Sequence, residues 1–117
     1  MARLSTHVLD TARGVAGQGI AIEVHIVRDH NRERVATATT NVDGRTDAPL
    51  LSGDRIEPGV YELSFHVGEY FRRTGLTVTR PSFLDIVVVR VGLADADGHY
   101  HVPLLLSPYG YSTYRGT

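Results

Sequence analysis

The chain has 117 residues, 42% of them apolar, and a formal net charge of −1. That is length for one compact domain over residues 1–117 with a core of its own. It carries no excess positive charge to attract nucleic acid and no apolar run of the roughly 20 residues that a membrane-spanning helix takes. Cysteine is absent, which excludes disulfides, thiolate metal sites and a cysteine nucleophile. With no signal-peptide layout over residues 1–7, a cytoplasmic protein is expected.

In chain order, the first predicted strand covers residues 4–9, where His7 projects to the side of Ser5 and Leu9. Residues 20–26 alternate at period two, with Ile20, Ile22, Val24 and Ile26 inward. Residues 34–40 make a third strand, and residues 48–51 a short further one. Residues 60–67 repeat the alternation, with Tyr61, Leu63, Phe65 and Val67 inward. The spacing predicts one helix, over 69–74, with Gly75 placed to close its C-terminal end. Residues 84–91 are a nearly continuous β-branched run, which predicts a strand covered on both faces. Residues 99–106 and 109–115 form a final hairpin. Asp43-Gly44, Ser52-Gly53-Asp54, Pro58-Gly59, Asp97-Gly98 and Ser107-Pro108 supply turns between these segments. About eight short strands with polar turns and a single helix describe an all-β sandwich or barrel. Pro103 sits inside a strand-like segment and either turns its missing N–H from a partner or interrupts the strand.

The chemistry available is imidazole, guanidinium, hydroxyl and carboxylate. All twelve basic residues are Arg, so lysine Schiff-base chemistry is excluded and every cation is a planar fork. There is no Gly-x-Ser-x-Gly elbow, no phosphate-cradling loop and no His-Glu-x-x-His. Period two puts His99 and His101 on one strand face. A turn at 107–110 would let that face coincide with the one that carries Tyr111, Thr113, Arg115 and Thr117. His99 and His101 also make a possible metal half-site, with His7 as a third ligand. A solvated histidine, a loop arginine at Arg45 and a frayed end at Arg115 are the bland readings of the same residues.

The segment Leu4-Ser5-Thr6-His7-Val8-Leu9-Asp10-Thr11 with Gly14, the segment Asn41-Val42-Asp43-Gly44-Arg45, and the long block from His99 through Tyr109-Gly110-Tyr111-Ser112-Thr113-Tyr114-Arg115-Gly116 resemble the signatures of the 5-hydroxyisourate hydrolases. The resemblance runs the length of the chain, and its C-terminal block is the most specific part. It implies a transthyretin-like two-sheet sandwich of about eight strands with one short helix. It implies a homotetramer, a dimer of dimers with active sites in a channel between dimers, and a small-molecule substrate. With no acidic residue or cysteine at a recognisable metal-ligand spacing, no metal or other cofactor is expected.

By the same resemblance, the catalytic residues fall on His7, Arg45, His101 and Thr117, and the substrate-binding residues on His7, Arg45, Tyr114, Arg115 and Thr117. The family usually ends in Ser where this chain has Thr117, which keeps the hydroxyl and adds a methyl group. The implied activity is hydrolysis of 5-hydroxyisourate to 2-oxo-4-hydroxy-4-carboxy-5-ureidoimidazoline in urate breakdown. In it His7 and His101 activate water and move protons, Arg45 and Arg115 hold substrate oxygens, and Thr117 orients water or substrate. The alternatives are a non-catalytic, transthyretin-like small-molecule binding protein and an adhesion or sugar-binding sandwich module. Transthyretin resembles this chain in Leu106-Ser107-Pro108-Tyr109 but lacks histidines at the positions of His7 and His101 and the Tyr-Arg-Gly end.

Overall fold

The computed structural model describes residues 2–117. Among the described residues, nine strands and one helix run in the order β1 (Ala2–Asp10), β2 (Val15–Ala16), β3 (Ala21–Arg28), β4 (Asn31–Thr39), β5 (Leu51–Gly53), β6 (Gly59–His66), α1 (Val67–Arg73), β7 (Ile86–Leu93), β8 (His99–Ser107) and β9 (Gly110–Thr113). One sheet has the order β2-β1-β8-β9, with β5 also paired to β1, and the other has the order β4-β3-β6-β7. The sandwich and its single helix are the architecture expected. The two-residue β2 is an addition that no periodicity announced.

Period two decides which residues the two sheets enclose. Ile22, Val24 and Ile26 of β3 lie opposite Phe65, Leu63 and Tyr61 of β6, and all six are buried in one core with Leu4, Val8, Leu104 and Leu106. On the outward face of the second sheet, Glu62 accepts hydrogen bonds from Arg32 Nε at 2.9 Å and Arg90 Nε at 3.0 Å. This multiple pairing explains how a carboxylate stays charged there.

Helix α1 starts directly after β6. One of its first amides, Gly68 N–H, donates to Asp85 O at 2.8 Å. Gly75, at φ +76°, closes the other end. Its N–H donates to Arg72 O at 3.1 Å, and the next amide, Leu76 N–H, reaches back to Phe71 O at 2.9 Å. This is the paired closure that a glycine in the left-handed region makes possible.

Two expectations are settled by strand position. The β-branched run is not covered on both faces. In β7 Val87, Val89 and Leu93 are buried while Ile86 and Val88 are exposed, because in a two-sheet sandwich only one face of each sheet meets the other sheet. At Pro103 the strand does not break. Residues on both sides of it pair with β1, and its carbonyl accepts from the Thr113 hydroxyl at 2.7 Å.

Candidate active site

Strands β1 and β8 are neighbours and run parallel, with Arg3 beside His99, Ser5 beside His101, His7 beside Pro103 and Leu9 beside Leu105. In β1 the alternate residues Leu4, Thr6, Val8 and Asp10 are buried, so the odd-numbered set of both strands forms the outward face. Two segments 96 residues apart in sequence thus place a row of polar side chains on one outer surface.

The loop after β4 then folds over the edge of β1. Asn41 organises this loop: its side-chain oxygen accepts from the Asp43 and Arg45 amides at 2.9 and 3.2 Å, and its amide nitrogen donates to Asp47 Oδ1 at 2.9 Å. Gly44 O accepts from Val8 N–H at 2.8 Å. At Gly44 φ is +75° and a Cβ would lie 2.3 Å from Val8 O, so only glycine fits between the loop and the strand. This docking brings Arg45 to the outward face.

The result is a cavity of about 400 Å³, whose lining includes Arg3, Ser5, Arg45, Asp47, His101 and Thr117. His101 is held on two sides. Its Nδ1 is 2.8 Å from Ser5 Oγ. Its Cδ2 edge faces Gly116, where an added Cβ would sit only 2.6 Å away. Gly116 N–H donates to His101 O at 2.8 Å, which ties the end of the chain to β8 and leaves Thr117 at the cavity. Burial, followed by the charges of Arg45, His7 and Arg3, pushes the His101 imidazole below the ordinary histidine range.

The remaining predicted site residues are placed differently. His7 lies on the outward face next along β1 from Ser5, and its Nε2 donates to Asp43 O at 2.9 Å, since a carbonyl can only accept. Its charge acts on His101, but it does not line the 400 Å³ cavity. Tyr114 and Arg115 line a second cavity of about 340 Å³ with Val89, Leu93, Tyr100 and Val102. The Arg115 guanidinium stacks 4.3 Å from the Tyr100 ring centroid and donates to His99 O at 3.3 Å.

The histidine face and the arginine face therefore do not coincide. The two-residue turn pairs Ser107 with Gly110 and Leu104 with Thr113, which brings His101 opposite Gly116 and leaves Arg115 on the side of Tyr100. Among the described residues, no group of three or more His, Asp or Glu is placed to hold a metal ion.

Arg3, Ser5, Thr46, Asp47 and Pro49 line the first cavity without having been singled out in the sequence. For Arg3 and Ser5 a signal existed, because both share the strand phase of His7. Thr46, Asp47 and Pro49 had none, since they arrive through loop docking and not through a period.

The chain matches the HIUase/Transthyretin family over residues 4–116. A 5-hydroxyisourate hydrolase from Pseudomonas aeruginosa is 56% identical over 117 residues, covering all of this chain and 93% of that one. A Klebsiella pneumoniae 5-hydroxyisourate hydrolase structure superposes with a TM-score of 0.81 at 32% identity, with full coverage of both chains. An (S)-allantoin synthase crystal structure gives a TM-score of 0.90 at 39% identity over 99% of this chain, which spans 44% of that longer protein. The family match over residues 4–116 and the full-length relative at 56% identity agree: the chain belongs to the HIUase/Transthyretin family.

Proposed function

We propose that the chain hydrolyses 5-hydroxyisourate to 2-oxo-4-hydroxy-4-carboxy-5-ureidoimidazoline. His101 takes a proton from water as the water oxygen adds to a ring carbonyl. The adjacent cyclic amide C–N bond then breaks, and the departing nitrogen receives a proton. Arg45 holds the developing oxyanion, and the Thr117 hydroxyl orients the water. His7 is the second proton-transfer group, held in one orientation by the Asp43 carbonyl. Tyr114 and Arg115 stand away from this cavity in the single chain. In this reading they act on substrate by anchoring the segment that brings Gly116 and Thr117 to it.

The observation that carries the reading is the cavity where His101, Arg45 and Thr117 meet. An imidazole pushed toward its neutral form beside a fixed cation is a base next to an oxyanion partner. The names of the relatives support the hydrolase activity. The arginines and histidines in the cavity lining, Arg3, Arg45, His99 and His101, suit a small, oxygen-rich heterocycle better than an apolar hormone. We also propose that copies of the chain pack into a dimer of dimers over this face, in the cytoplasm. The partly exposed Leu9 beside Leu105 is an apolar strip that such packing covers. Among the described residues no helix is long and apolar enough to cross a membrane.

The test is ultraviolet monitoring of freshly made 5-hydroxyisourate, with spontaneous decay subtracted. The decay constant rises in proportion to added protein if the reading holds. A constant independent of protein concentration, with ligand nonetheless bound, returns the chain to the binding-protein alternative.

A further inference from the structure

Imidazole catalysis depends on which ring nitrogen carries the lone pair, and that choice is made by the group bonded to the other nitrogen. At His101 the other group is Ser5 Oγ, 2.8 Å from Nδ1 across the strand pair. Ser5 is His101's register partner in the parallel ladder, so the contact is fixed by backbone pairing and not by a mobile loop. No hydrogen bond within the described chain reaches His101 Nε2, and the residue lines the cavity.

A hydroxyl can donate to a ring nitrogen or accept from it. The surroundings decide between the two. Arg3 and Arg45 line the same cavity as His101, and guanidinium groups can only donate. An imidazole turned toward such cations is lower in energy with its lone pair facing them and its N–H facing away. The ring cannot satisfy Ser5 by turning over, because that would put Nδ1 in the place of Cδ2, against the backbone of Gly116, which has no side chain to pair with it and no room for one.

We infer that Ser5 is a positioning residue of the reaction: its hydroxyl accepts the Nδ1–H of His101 and so holds the Nε2 lone pair toward the cavity. Ser5 touches no reacting atom in this account. It acts through the imidazole, as orienting partners behind reacting histidines do in other sites. The inference rests on the hydrolase reading for its kinetic consequence, but the tautomer is a property of the protein alone.

Two measurements separate these. Nitrogen-15 spectra of the imidazoles in the wild-type protein, with His101 assigned by its loss in His101→Gln, report the tautomer directly. The expected pattern for His101 is a protonated Nδ1 and an unprotonated Nε2, and the reverse pattern overturns the inference whatever the activity. Kinetics then test the consequence. Ser5→Ala should lower kcat by about 10- to 100-fold, the scale on which such partners act, with KM little changed, and Ser5→Thr should recover most of the loss. Wild-type kcat in Ser5→Ala, with unchanged nitrogen-15 shifts, overturns it too. Should the wild-type protein fail to speed substrate decay, the hydrolase reading falls on its own, and the spectra still decide the tautomer.

Discussion

At the scale of single residues, the site is governed by how few atoms surround one imidazole. His101 has Ser5 on one edge, Gly116 on another and cations across the cavity. Each neighbour alters what the ring can do, and burial with the charges of Arg45, His7 and Arg3 lowers its proton affinity. The sign of the consequence follows. A base must be neutral, and this ring stays neutral to lower pH than an ordinary histidine, whose pKa is about 6.5. The acid limb of kcat/KM should therefore fall below about pH 6.5, measured as initial rates from pH 5 to 8 with spontaneous decay subtracted at each point. By linkage the same shift costs stability on the acid side, because the unfolded chain takes up the proton first as pH falls. An acid limb above pH 7 would assign the base to another group. The sequence made His101 a candidate through the His-x-His alternation, but Ser5 beside it needed the parallel register of β1 and β8, which no local pattern encodes.

At the scale of elements, buried polar groups decide how pieces are joined. Asp10, at the end of β1, accepts from Tyr70 OH of α1 at 2.6 Å and from Arg13 Nε at 3.0 Å. Burial pushes the Asp10 carboxyl up, but the hydrogen bonds from Tyr70 and Arg13 outweigh it and hold the group below the ordinary carboxylate range. Its stabilising contribution is present above the unfolded pKa of about 4 and is lost as pH falls through the lower folded value. Tyr70→Phe removes one donor from this buried carboxylate and should cost about 1–3 kcal/mol, read as a lower midpoint in urea unfolding. Because α1 contributes no residue to the 400 Å³ cavity, kcat should stay within about twofold of wild type at temperatures where the variant is folded. A large loss of kcat in a folded Tyr70→Phe would show that α1 supports the site.

The elements were legible in unequal degree, for physical reasons. In β3 and β6 the core-facing residues are apolar and the outward ones mostly polar, so alternation of residue type marked the inward set, and Ile22, Val24, Leu63 and Phe65 are all buried, although in β6 the outward Glu62 and Ser64 are buried as well. In β7 the exposed face also carries Ile86 and Val88, so hydrophobicity no longer reports burial, and the strand read as covered on both faces. The final hairpin shows a different limit. Its turn was placed where it occurs, yet pairing of Ser107 with Gly110 aligns odd positions of one strand with even positions of the next. A one-residue change of register turns every side chain to the other face, which is why Arg115 lies over Tyr100 and not beside His101.

At the scale of the whole molecule, the site lies on the outside of a sheet, not in a cleft between two halves of the chain. A face of this kind excludes water only when something packs over it, and the proposed occupant is another copy of the chain. Sedimentation at micromolar concentration should then give a mass of four copies, while a monomer with full activity would separate catalysis from assembly. The arrangement also explains why the first strand, the loop after the fourth and the end of the chain all contribute. They are far apart in sequence, and the parallel β1–β8 pair with the docked Gly44 loop brings them together.

The most direct test of the central claim, that His101 activates water in this cavity, is the initial rate of 5-hydroxyisourate loss with wild-type protein and with His101→Ala at equal concentration. The wild type should accelerate decay, and the variant, still folded, should lose about 10²–10⁴-fold of that acceleration. Equal rates for the two proteins would contradict it.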